Sequence, residues 1–433
     1  MSKSNLSHSQ SGLLILSNGH GEDAIALRIV KQIQQQSTVE IVALPIVGEG
    51  RLYRELNIPL IGAVQVLPSG GFLYMDGKQL MRDVNGGLLQ LTLSQIKAIR
   101  SWTRSPGGGK KMILAVGDLV PLLFAWLSGA DYAFVGTAKS EYYVRDEAGV
   151  LPRKSRRAWW ENFSGSIYHP WERWLMSRPR CKAVFPRDTL TTEILQKWSI
   201  PTFDLGNPMM DNLEPVIAPR FYAANAQQQE TARPLVITLI PGSRPPEAYE
   251  NWTLILMAVG SLLVNFRDRS LVFLGAIAPG LDCNTIQQIL ESQGWIPCGA
   301  DDVSLGDPKT LTFKQKGALL TITQTAFNDC LHQADLAIAM AGTATEQFVG
   351  LGKPVVAIVG QGPQFNPLFA EAQSRHLGIS VILIDKPNQA AMAVESLLKD
   401  PDRLQLIAEN GVRRMGKPGS AKRIALSVLN CIS

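Results

Sequence analysis

The sequence predicts an α/β protein with two parallel-sheet domains. Short apolar runs alternate with helix-length segments, the runs form two series, and a stretch rich in Ala and Gln separates the series. Runs of four to eight apolar residues between helices are typical of strands buried on both faces of a parallel sheet. The predicted strands are 13–17, 39–47, 61–67, 112–116, 131–136 and 182–185 in the first series, and 235–240, 271–277, 318–322, 335–340, 354–359 and 380–384 in the second.

The length of 433 residues is too great for one ordinary core and suits two domains of roughly 200 residues each. We predict an N-terminal domain over 1–211 and a linker over 212–234, where three prolines interrupt the pattern. A C-terminal domain follows over 235–410. The tail, 411–433, is predicted to form a final helix.

Composition excludes several classes of protein. Apolar residues make up 45% of the chain and charged residues 18%, which is typical of large packed cores and not of a disordered chain. Five scattered cysteines without a CxxC motif indicate reduced thiols in a cytoplasmic protein and no zinc site. No run of eighteen apolar residues occurs, so no membrane span is predicted.

A glycine-containing turn follows the predicted strand 235–240. It reads Pro-Gly-Ser-Arg, and Gly242 and Ser243 suit a turn with exposed backbone N–H donors. The guanidinium of Arg244 is planar and always charged, which suits a diphosphate. The alternative is an ordinary solvated arginine after a turn. Strand ends of a parallel sheet are where such folds place ligands, which favours the functional reading.

A second turn follows the apolar run 334–339. Gly342, Thr343 and Ala344 open a helix whose N-terminal N–H groups and field favour a phosphate. Glu346 lies within the first turns of that helix. Its carboxylate can accept two hydroxyl hydrogen bonds, as from the vicinal diol of a ribose. Taken alone, this pattern is equally typical of a plain β-to-α turn.

The first predicted strand runs into a turn with two glycines, Gly19 and Gly21. A dinucleotide-binding fingerprint is the obvious competitor, but the third glycine is missing and Ala24 is the nearest small residue. The acid expected after the second strand is also absent, unless Glu49 serves. We therefore do not favour NAD binding.

Three segments carry a family resemblance. Residues 206–211 (Gly-Asn-Pro-Met-Met-Asp), 239–244 (Leu-Ile-Pro-Gly-Ser-Arg) and 341–346 (Ala-Gly-Thr-Ala-Thr-Glu) resemble lipid-A-disaccharide synthase, an inverting glycosyltransferase of the GT-B fold. The C-terminal half also resembles the peptidoglycan N-acetylglucosaminyltransferase. The resemblance implies two facing Rossmann-like domains with an interdomain cleft, and a terminal helix, 411–433, that crosses back onto the N-terminal domain. The first loop departs from the synthase pattern Gly-Glu-x-Ser-Gly-Asp, because 19–24 read Gly-His-Gly-Glu-Asp-Ala, and this leaves the acceptor open.

The resemblance also implies roles for residues of the N-terminal domain. The first loop is expected to face the cleft and to touch the acceptor or the transferred sugar; its residues are Gly19, His20, Gly21, Glu22 and Asp23. Asp118 follows the strand 112–116 and is the predicted base for the acceptor hydroxyl, with His20 as the second candidate. The alternatives are an N-cap role for Asp118 and a cap or turn role for His20.

In the C-terminal domain, the resemblance implies that Gln364, Asn366 and Gln373 contact hydroxyl groups of the donor sugar, whereas polar loop residues are more often simply solvated. The DxD sequence at 400–402 precedes a helical pattern and is interpreted as a cap. We predict no metal site and no cofactor.

Residues 151–182 form a basic and aromatic stretch with eight Arg or Lys and four of the nine tryptophans. Tryptophan favours membrane interfaces and cations are attracted to anionic lipid, so a membrane patch is predicted. Nucleic acid is the less favoured partner, and tryptophans in a core with a solvated basic rim are the structural alternative. The patch residues are Arg156, Arg157, Trp159, Trp160, Trp171 and Trp174.

Together these features predict an inverting glycosyltransferase. It would move an N-acetylglucosamine-type sugar from a UDP-sugar to a lipid-linked or saccharide acceptor, in the cytoplasm or at the inner face of the membrane. The alternatives are a nucleotide-sugar 2-epimerase of GT-B fold and a non-catalytic nucleotide-sugar-binding protein.

Overall fold

A computed structural model describes residues 11–64, 88–106, 109–152, 164–218, 233–299 and 305–432. Packing divides the chain into two units. Unit 1 comprises residues 1–211 together with 417–433, and unit 2 comprises residues 212–416. Within the described ranges, no helix is both long and apolar enough to span a membrane.

The main sheet of unit 1 has five parallel strands in the order β2-β1-β3-β4-β7. Nearly all residues of these strands are buried, because helices cover both faces. The strands are β1 (Gly12–Ser17), β2 (Glu40–Pro45), β3 (Lys111–Gly117), β4 (Asp131–Gly136) and β7 (Cys181–Phe185). A short antiparallel hairpin is formed by β5 (Arg145–Asp146) and β6 (Gly149–Val150).

Two hydrophobic cores lie on opposite faces of this sheet, as the alternation of β1 shows: Leu13 and Ile15 belong to one core, Leu14 and Leu16 to the other. The helices that follow the strands are α1 (His20–Gln36), α2 (Arg51–Glu55), α3 (Leu88–Arg104), α4 (Leu119–Ser128), α5 (Pro170–Met176) and α6 (Thr189–Gln196).

The sheet of unit 2 has eight strands in the order β10-β11-β12-β9-β8-β13-β14-β15. At one end of the sheet, β10 pairs antiparallel with β11 and β11 pairs antiparallel with β12. The remaining pairs are parallel. The strands are β8 (Leu235–Ile240), β9 (Leu271–Ala276), β10 (Ile296–Cys298), β11 (Leu311–Gln315), β12 (Ala318–Thr323), β13 (Leu336–Ala339), β14 (Val355–Ile358) and β15 (Val381–Ile384).

Helices of unit 2 connect these strands and enclose a core in which Trp252 is fully buried. They are α7 (Glu247–Asn265), α8 (Cys283–Ser292), α9 (Phe327–Gln333), α10 (Thr343–Gly350), α11 (Pro367–Leu377), α12 (Ala390–Leu398) and α13 (Pro401–Met415).

The last helix, α14 (Ser420–Ile432), packs in the core of unit 1 through Ile424 and Val428. The Asp211 carboxylate accepts hydrogen bonds from the N–H groups of residues 419, 420 and 421, at 2.5, 3.1 and 2.6 Å. Asp211 therefore caps the N-terminus of a helix some 200 residues further along the chain.

Every predicted strand except 61–67 is present. Residues 61–64 form no strand, and 65–67 lie outside the described residues. Strands β10 and β11 were not predicted. The predicted linker begins as an ordered segment, since the N–H groups of Val216 and Ile217 donate to the Asp329 carboxylate. Gly411, predicted to precede the final helix, lies inside α13, and residues 416–419 separate α13 from α14.

Candidate functional site

In unit 2, the three neighbouring parallel strands β8, β13 and β14 end at the same edge of the sheet. The loops that follow these strands, 241–246, 340–342 and 359–366, carry most of the predicted donor-binding residues. The fold therefore brings together segments that lie up to about 120 residues apart in the sequence.

The loop after β8 makes a tight turn at Gly242, whose φ is +100°. A Cβ atom there would lie 3.3 Å from the Met340 carbonyl oxygen, so the two loops approach closely. The side-chain amide of Asn251 donates to the carbonyl of Pro241 at 3.0 Å and reaches the Met340 carbonyl at 3.4 Å. Ser243 and Arg244 follow the turn and are exposed.

The loop after β13 ends at Gly342, which is the N-cap residue of α10. Thr343 and Ala344 occupy the first turn, where backbone N–H groups have no acceptor within the helix. The buried Thr345 hydroxyl donates to the Ala341 carbonyl at 2.7 Å and stabilises the turn. An anion at this edge would meet the N-terminus of α10.

Glu346 lies in the first turn of α10, as predicted, but only 7% of it is exposed. Its Oε1 atom is 3.6 Å from Nδ1 of His376, a fully buried residue of α11. His376 was not identified from the sequence, because its partner lies thirty residues upstream on another helix. The ribose role of Glu346 stays a prediction.

The loop after β14 is fixed by Glu247, the first residue of α7. Its carboxylate accepts the N–H groups of Gln364 at 3.2 Å and Phe365 at 2.6 Å. A Cβ atom at Gly362 would lie 2.2 Å from Glu247 Oε1, so a side chain there would displace this carboxylate. Sequence reasoning missed Glu247; its position directly after Pro245-Pro246, at a helix start, was the available signal.

Two predicted sugar-binding residues have partners within unit 2. The Asn366 side chain caps α11 by accepting the N–H of Phe369 at 2.9 Å. The Gln373 amide donates to the carbonyls of Ala341 and Gly342 at 3.0 and 3.2 Å, and only 2% of the residue is exposed. Both residues therefore shape the loops, whereas contact with a sugar stays a prediction for them and for Gln364.

In unit 1, the neighbouring strands β1, β3 and β4 also end together. Asp118 follows β3 and is the N-cap of α4: its carboxylate accepts the N–H of Val120 at 3.0 Å. The same Oδ1 atom accepts the Asn18 amide at 3.1 Å. Burial raises the pKa of Asp118, while the Val120 hydrogen bond opposes the rise. The N-cap interpretation therefore applies, at a strand end.

Glu22 lies in the first turn of α1, close to the loop after β1 and to the end of β3. Its Oε2 atom is 3.6 Å from the place that a Cβ of Gly19 would take, and its Cγ is 3.4 Å from that of Gly117. The pKa of Glu22 is raised to about 7, mainly by burial and in smaller part by the neighbouring Asp118.

The Asp23 carboxylate, unlike that of Glu22, is held in a buried hydrogen-bond network. The Ser17 hydroxyl donates to its carboxylate at 2.5 Å and lies 2.8 Å from the Tyr53 hydroxyl, and all three residues are buried. The expectation that Asp23 faces a cleft is therefore corrected: this carboxylate belongs to an internal network. Helix α1 begins at His20, whose side chain lies outside the described residues, and Gly21 is exposed.

A buried ion pair that the sequence did not reveal lies close to Asp118. Lys139 Nζ and Glu172 Oε2 are 2.5 Å apart, and both residues are almost fully buried. Glu172 contributes to the raised pKa of Asp118 and Lys139 opposes it. The two residues are 33 positions apart on different elements, so no local pattern marks them as partners.

Of the predicted membrane patch, Arg156, Arg157, Trp159 and Trp160 lie outside the described residues. Trp171 and Trp174 belong to α5 and are 48% and 46% exposed. The guanidinium of Arg178 lies 4.4 Å from the centre of the Trp174 ring. The described part of the patch thus presents aromatic rings together with a cation at the surface.

Among the described residues, no group of three or more His, Cys, Asp or Glu side chains is arranged to hold a metal ion.

No family model and no curated protein matches the sequence. Solved structures match it over nearly its whole length. The calicheamicin glycosyltransferase CalG4 has a TM-score of 0.58 at 13% identity and covers 98% of both chains. The UDP-GlcNAc 2-epimerase from Neisseria meningitidis, bound to UDP-GlcNAc, has a TM-score of 0.51 at 15% identity and covers 97% of this chain and 100% of its own.

MurG from Acinetobacter baumannii has a TM-score of 0.51 at 14% identity and covers 97% of this chain and 99% of its own. At these identities the likeness shows the fold alone. It confirms the predicted α/β class and the GT-B fold with Rossmann-like domains. It does not single out lipid-A-disaccharide synthase.

Proposed function

We propose that this protein is a nucleotide-sugar enzyme, an inverting glycosyltransferase that moves an N-acetylglucosamine-type sugar from a UDP-sugar to a lipid-linked or saccharide acceptor. The observation that supports it most is the convergence of the loops after β8 and β13 at one edge of unit 2. These loops present Gly242, Ser243 and Arg244 beside the N-terminus of α10.

Each part of a nucleoside diphosphate has a suitable group in this set. The N–H groups at Gly342, Thr343 and Ala344 suit a phosphate, and Arg244 suits the charge of the diphosphate as it leaves. Such fixed donors stabilise the negative charge that develops in the transition state. Glu346 is proposed to accept hydrogen bonds from the ribose hydroxyls.

UDP is the proposed nucleotide because a solved structure of similar fold, the epimerase from Neisseria meningitidis, is described as bound to UDP-GlcNAc. A nucleotide-sugar 2-epimerase is therefore the second candidate for this chain. The carboxyl groups of Glu22 and Asp118 at the strand ends of unit 1 favour it further, since epimerisation needs acid and base groups around one sugar. A non-catalytic binding protein, the third candidate, would need only the loops of unit 2 for nucleotide binding and no acid or base groups in unit 1.

We propose that the acceptor side involves an anionic membrane surface at the cytoplasmic face. Exposed Trp171 and Trp174, with Arg178 stacked on one ring, support a docking role. A lipid-linked acceptor would be presented at such a surface. We propose no nucleic-acid partner.

The first experiment is calorimetry with UDP, UDP-N-acetylglucosamine, GDP and NAD. We expect UDP-selective binding that weakens by roughly 10- to 150-fold in Arg244→Ala, the usual loss for a hydrogen bond to a charged group. Arg267→Ala is the matched control, because Arg267 is an exposed arginine beyond the other end of α7. If no nucleotide binds, or if UDP binding is weakened equally in both variants, the proposal is contradicted.

Product analysis then separates the candidates. Incubation with UDP-N-acetylglucosamine alone should release UDP slowly if the protein is a transferase that accepts water in place of its acceptor. A second UDP-N-acetylhexosamine as product identifies an epimerase. Binding with an unchanged nucleotide sugar identifies a non-catalytic binding protein.

A further inference from the structure

Inverting transfer requires a proton acceptor. The acceptor hydroxyl loses its proton to a base, and its oxygen forms a bond to the anomeric carbon. The bond from that carbon to the diphosphate breaks, and the electron pair leaves with the diphosphate. We propose that Glu22 takes this proton and that Asp118 is a positioning residue, an inference that rests on the proposed transferase function.

The position of Glu22 is the first argument. It is in the first turn of α1, where its Oε2 atom lies near Gly19, the N-cap residue of α1, and its Cγ lies near Gly117, the last residue of β3. Gly117 has a φ of +138°, and a Cβ atom there would lie 3.4 Å from Glu22 Cγ and 3.2 Å from Pro121. This strand end therefore favours glycine, and Glu22 packs directly beside it.

The engagement of Asp118 is the second argument. One of its oxygens accepts two hydrogen bonds, from the N–H of Val120 and from the Asn18 amide. These bonds fix the carboxylate at the start of α4 and stabilise its charged form. A group held in this way is suited to orient its surroundings and less suited to collect a proton.

Asn18 supplies an independent observation that points to a ligand. Only 7% of the residue is exposed, and its Oδ1 atom has no hydrogen-bond partner among the described residues. Its Cβ lies 3.4 Å from the place of a Gly117 Cβ, the same distance as Glu22 Cγ. A buried acceptor without a partner is costly, and a hydroxyl donor bound beside Glu22 would satisfy it.

The charges around Glu22 fit a base that operates near neutral pH. The pKa of Glu22 is raised to about 7, mainly by burial, with smaller contributions from the carboxylates of Asp118 and Asp23; a backbone hydrogen bond and the Thr137 hydroxyl oppose the rise. The Lys139–Glu172 pair faces Asp118 from the side of β4 and α5. A pKa near the working pH is the optimum for general base catalysis.

The first test does not depend on activity. Carbon NMR of labelled glutamate side chains should show one carboxyl that titrates near pH 7, absent in Glu22→Gln and shifted to lower pH in Asp118→Asn. Glu49→Gln, which removes an exposed carboxylate, should leave it in place. A Glu22 midpoint near the ordinary value of 4.5 would overturn the assignment.

The second test measures UDP release from UDP-N-acetylglucosamine with water as acceptor. Glu22→Gln should slow release by roughly a hundred- to ten-thousand-fold and remove the acid limb of the pH profile, while UDP affinity stays unchanged. Glu22→Asp should restore part of the rate, and Asp118→Asn should keep measurable turnover with the limb shifted to lower pH.

The outcomes separate the two proposals. If the wild type binds no UDP, the proposed function fails, whatever pH Glu22 titrates at. If UDP binds and Glu22→Gln keeps full turnover, the Glu22 assignment fails alone. If the wild type binds UDP but never releases it from the sugar, the transferase proposal and the Glu22 assignment fail together. Loss of turnover only in Asp118→Asn would return the base role to Asp118.

Discussion

The two units use the same local design at their strand ends and hold their carboxylates in opposite ways. In unit 2, Glu247 begins a helix and its carboxylate accepts two backbone N–H groups of the neighbouring loop. In unit 1, Glu22 also lies in the first turn of a helix, but it faces another carboxyl group, Asp118. A carboxylate surrounded by donors fixes structure, whereas one that faces a like charge is poised to exchange a proton.

The largest expected effect is on stability in unit 2. Replacement of Glu247 by Ala leaves the N–H groups of partly buried Gln364 and buried Phe365 without their acceptor. We expect the free energy of unfolding, measured with urea, to fall by about 4 kcal/mol. Glu250→Ala removes an exposed carboxylate from the same helix turn and should change stability by less than about 0.5 kcal/mol. Equal effects would remove Glu247 from its structural role.

The second effect is on how the stability of unit 1 depends on pH, through the raised pKa of Glu22. Unfolded Glu22 ionises near pH 4.5 and folded Glu22 near pH 7, so the fold loses stability as pH rises between these values. Glu22→Gln avoids this loss. We expect the variant to be more stable than the wild type by about 3 kcal/mol at pH 8 and by almost nothing at pH 4. A difference that does not vary with pH would contradict the raised pKa.

The third effect concerns nucleotide affinity. Glu346→Ala should weaken UDP binding by roughly 1–3 kcal/mol, because hydrogen bonds from the ribose hydroxyls to a carboxylate are lost. Calorimetry at constant pH measures the change. Glu409→Ala is the control, since Glu409 is exposed on α13. An unchanged affinity in Glu346→Ala would remove Glu346 from the ribose role.

The smallest effect is expected at the aromatic surface of unit 1. The double variant Trp171→Ala and Trp174→Ala should reduce binding to phosphatidylserine-containing vesicles several-fold, and added salt should weaken the binding of the wild type. Phe203→Ala removes another exposed ring from unit 1 and should have no effect. Equal retention of the wild type on neutral and anionic vesicles would contradict an electrostatic docking patch.

Much of the fold followed from local patterns. Buried parallel strands appear as continuous apolar runs, so nearly all of them were predicted. Strand β11, Leu311–Gln315, was missed because it is antiparallel to both neighbours, lies near the sheet edge and alternates apolar with polar residues. The loops after β8 and β13 could be located because a glycine turn after an apolar run is also a local pattern.

Contacts over long sequence distances could not be predicted. Glu247 acts on a loop 117 residues downstream, and Lys139 pairs with a residue 33 positions away. Glu22 and Asp23 are adjacent in the sequence but point to different sides of α1. Which of them faces inward is decided by Ser17 and Tyr53, which come from a strand and from another helix.

The cap that Asp211 places on α14 has a consequence for how the protein is made. Unit 2 is encoded between the two parts of unit 1, so a ribosome delivers all of residues 212–416 before it delivers the helix that Asp211 caps. Domains fold largely as units during synthesis. The unit that is begun first is therefore finished last, and until Ile424 and Val428 emerge, part of one apolar core of unit 1 in the nascent chain stays uncovered for chaperones to shield.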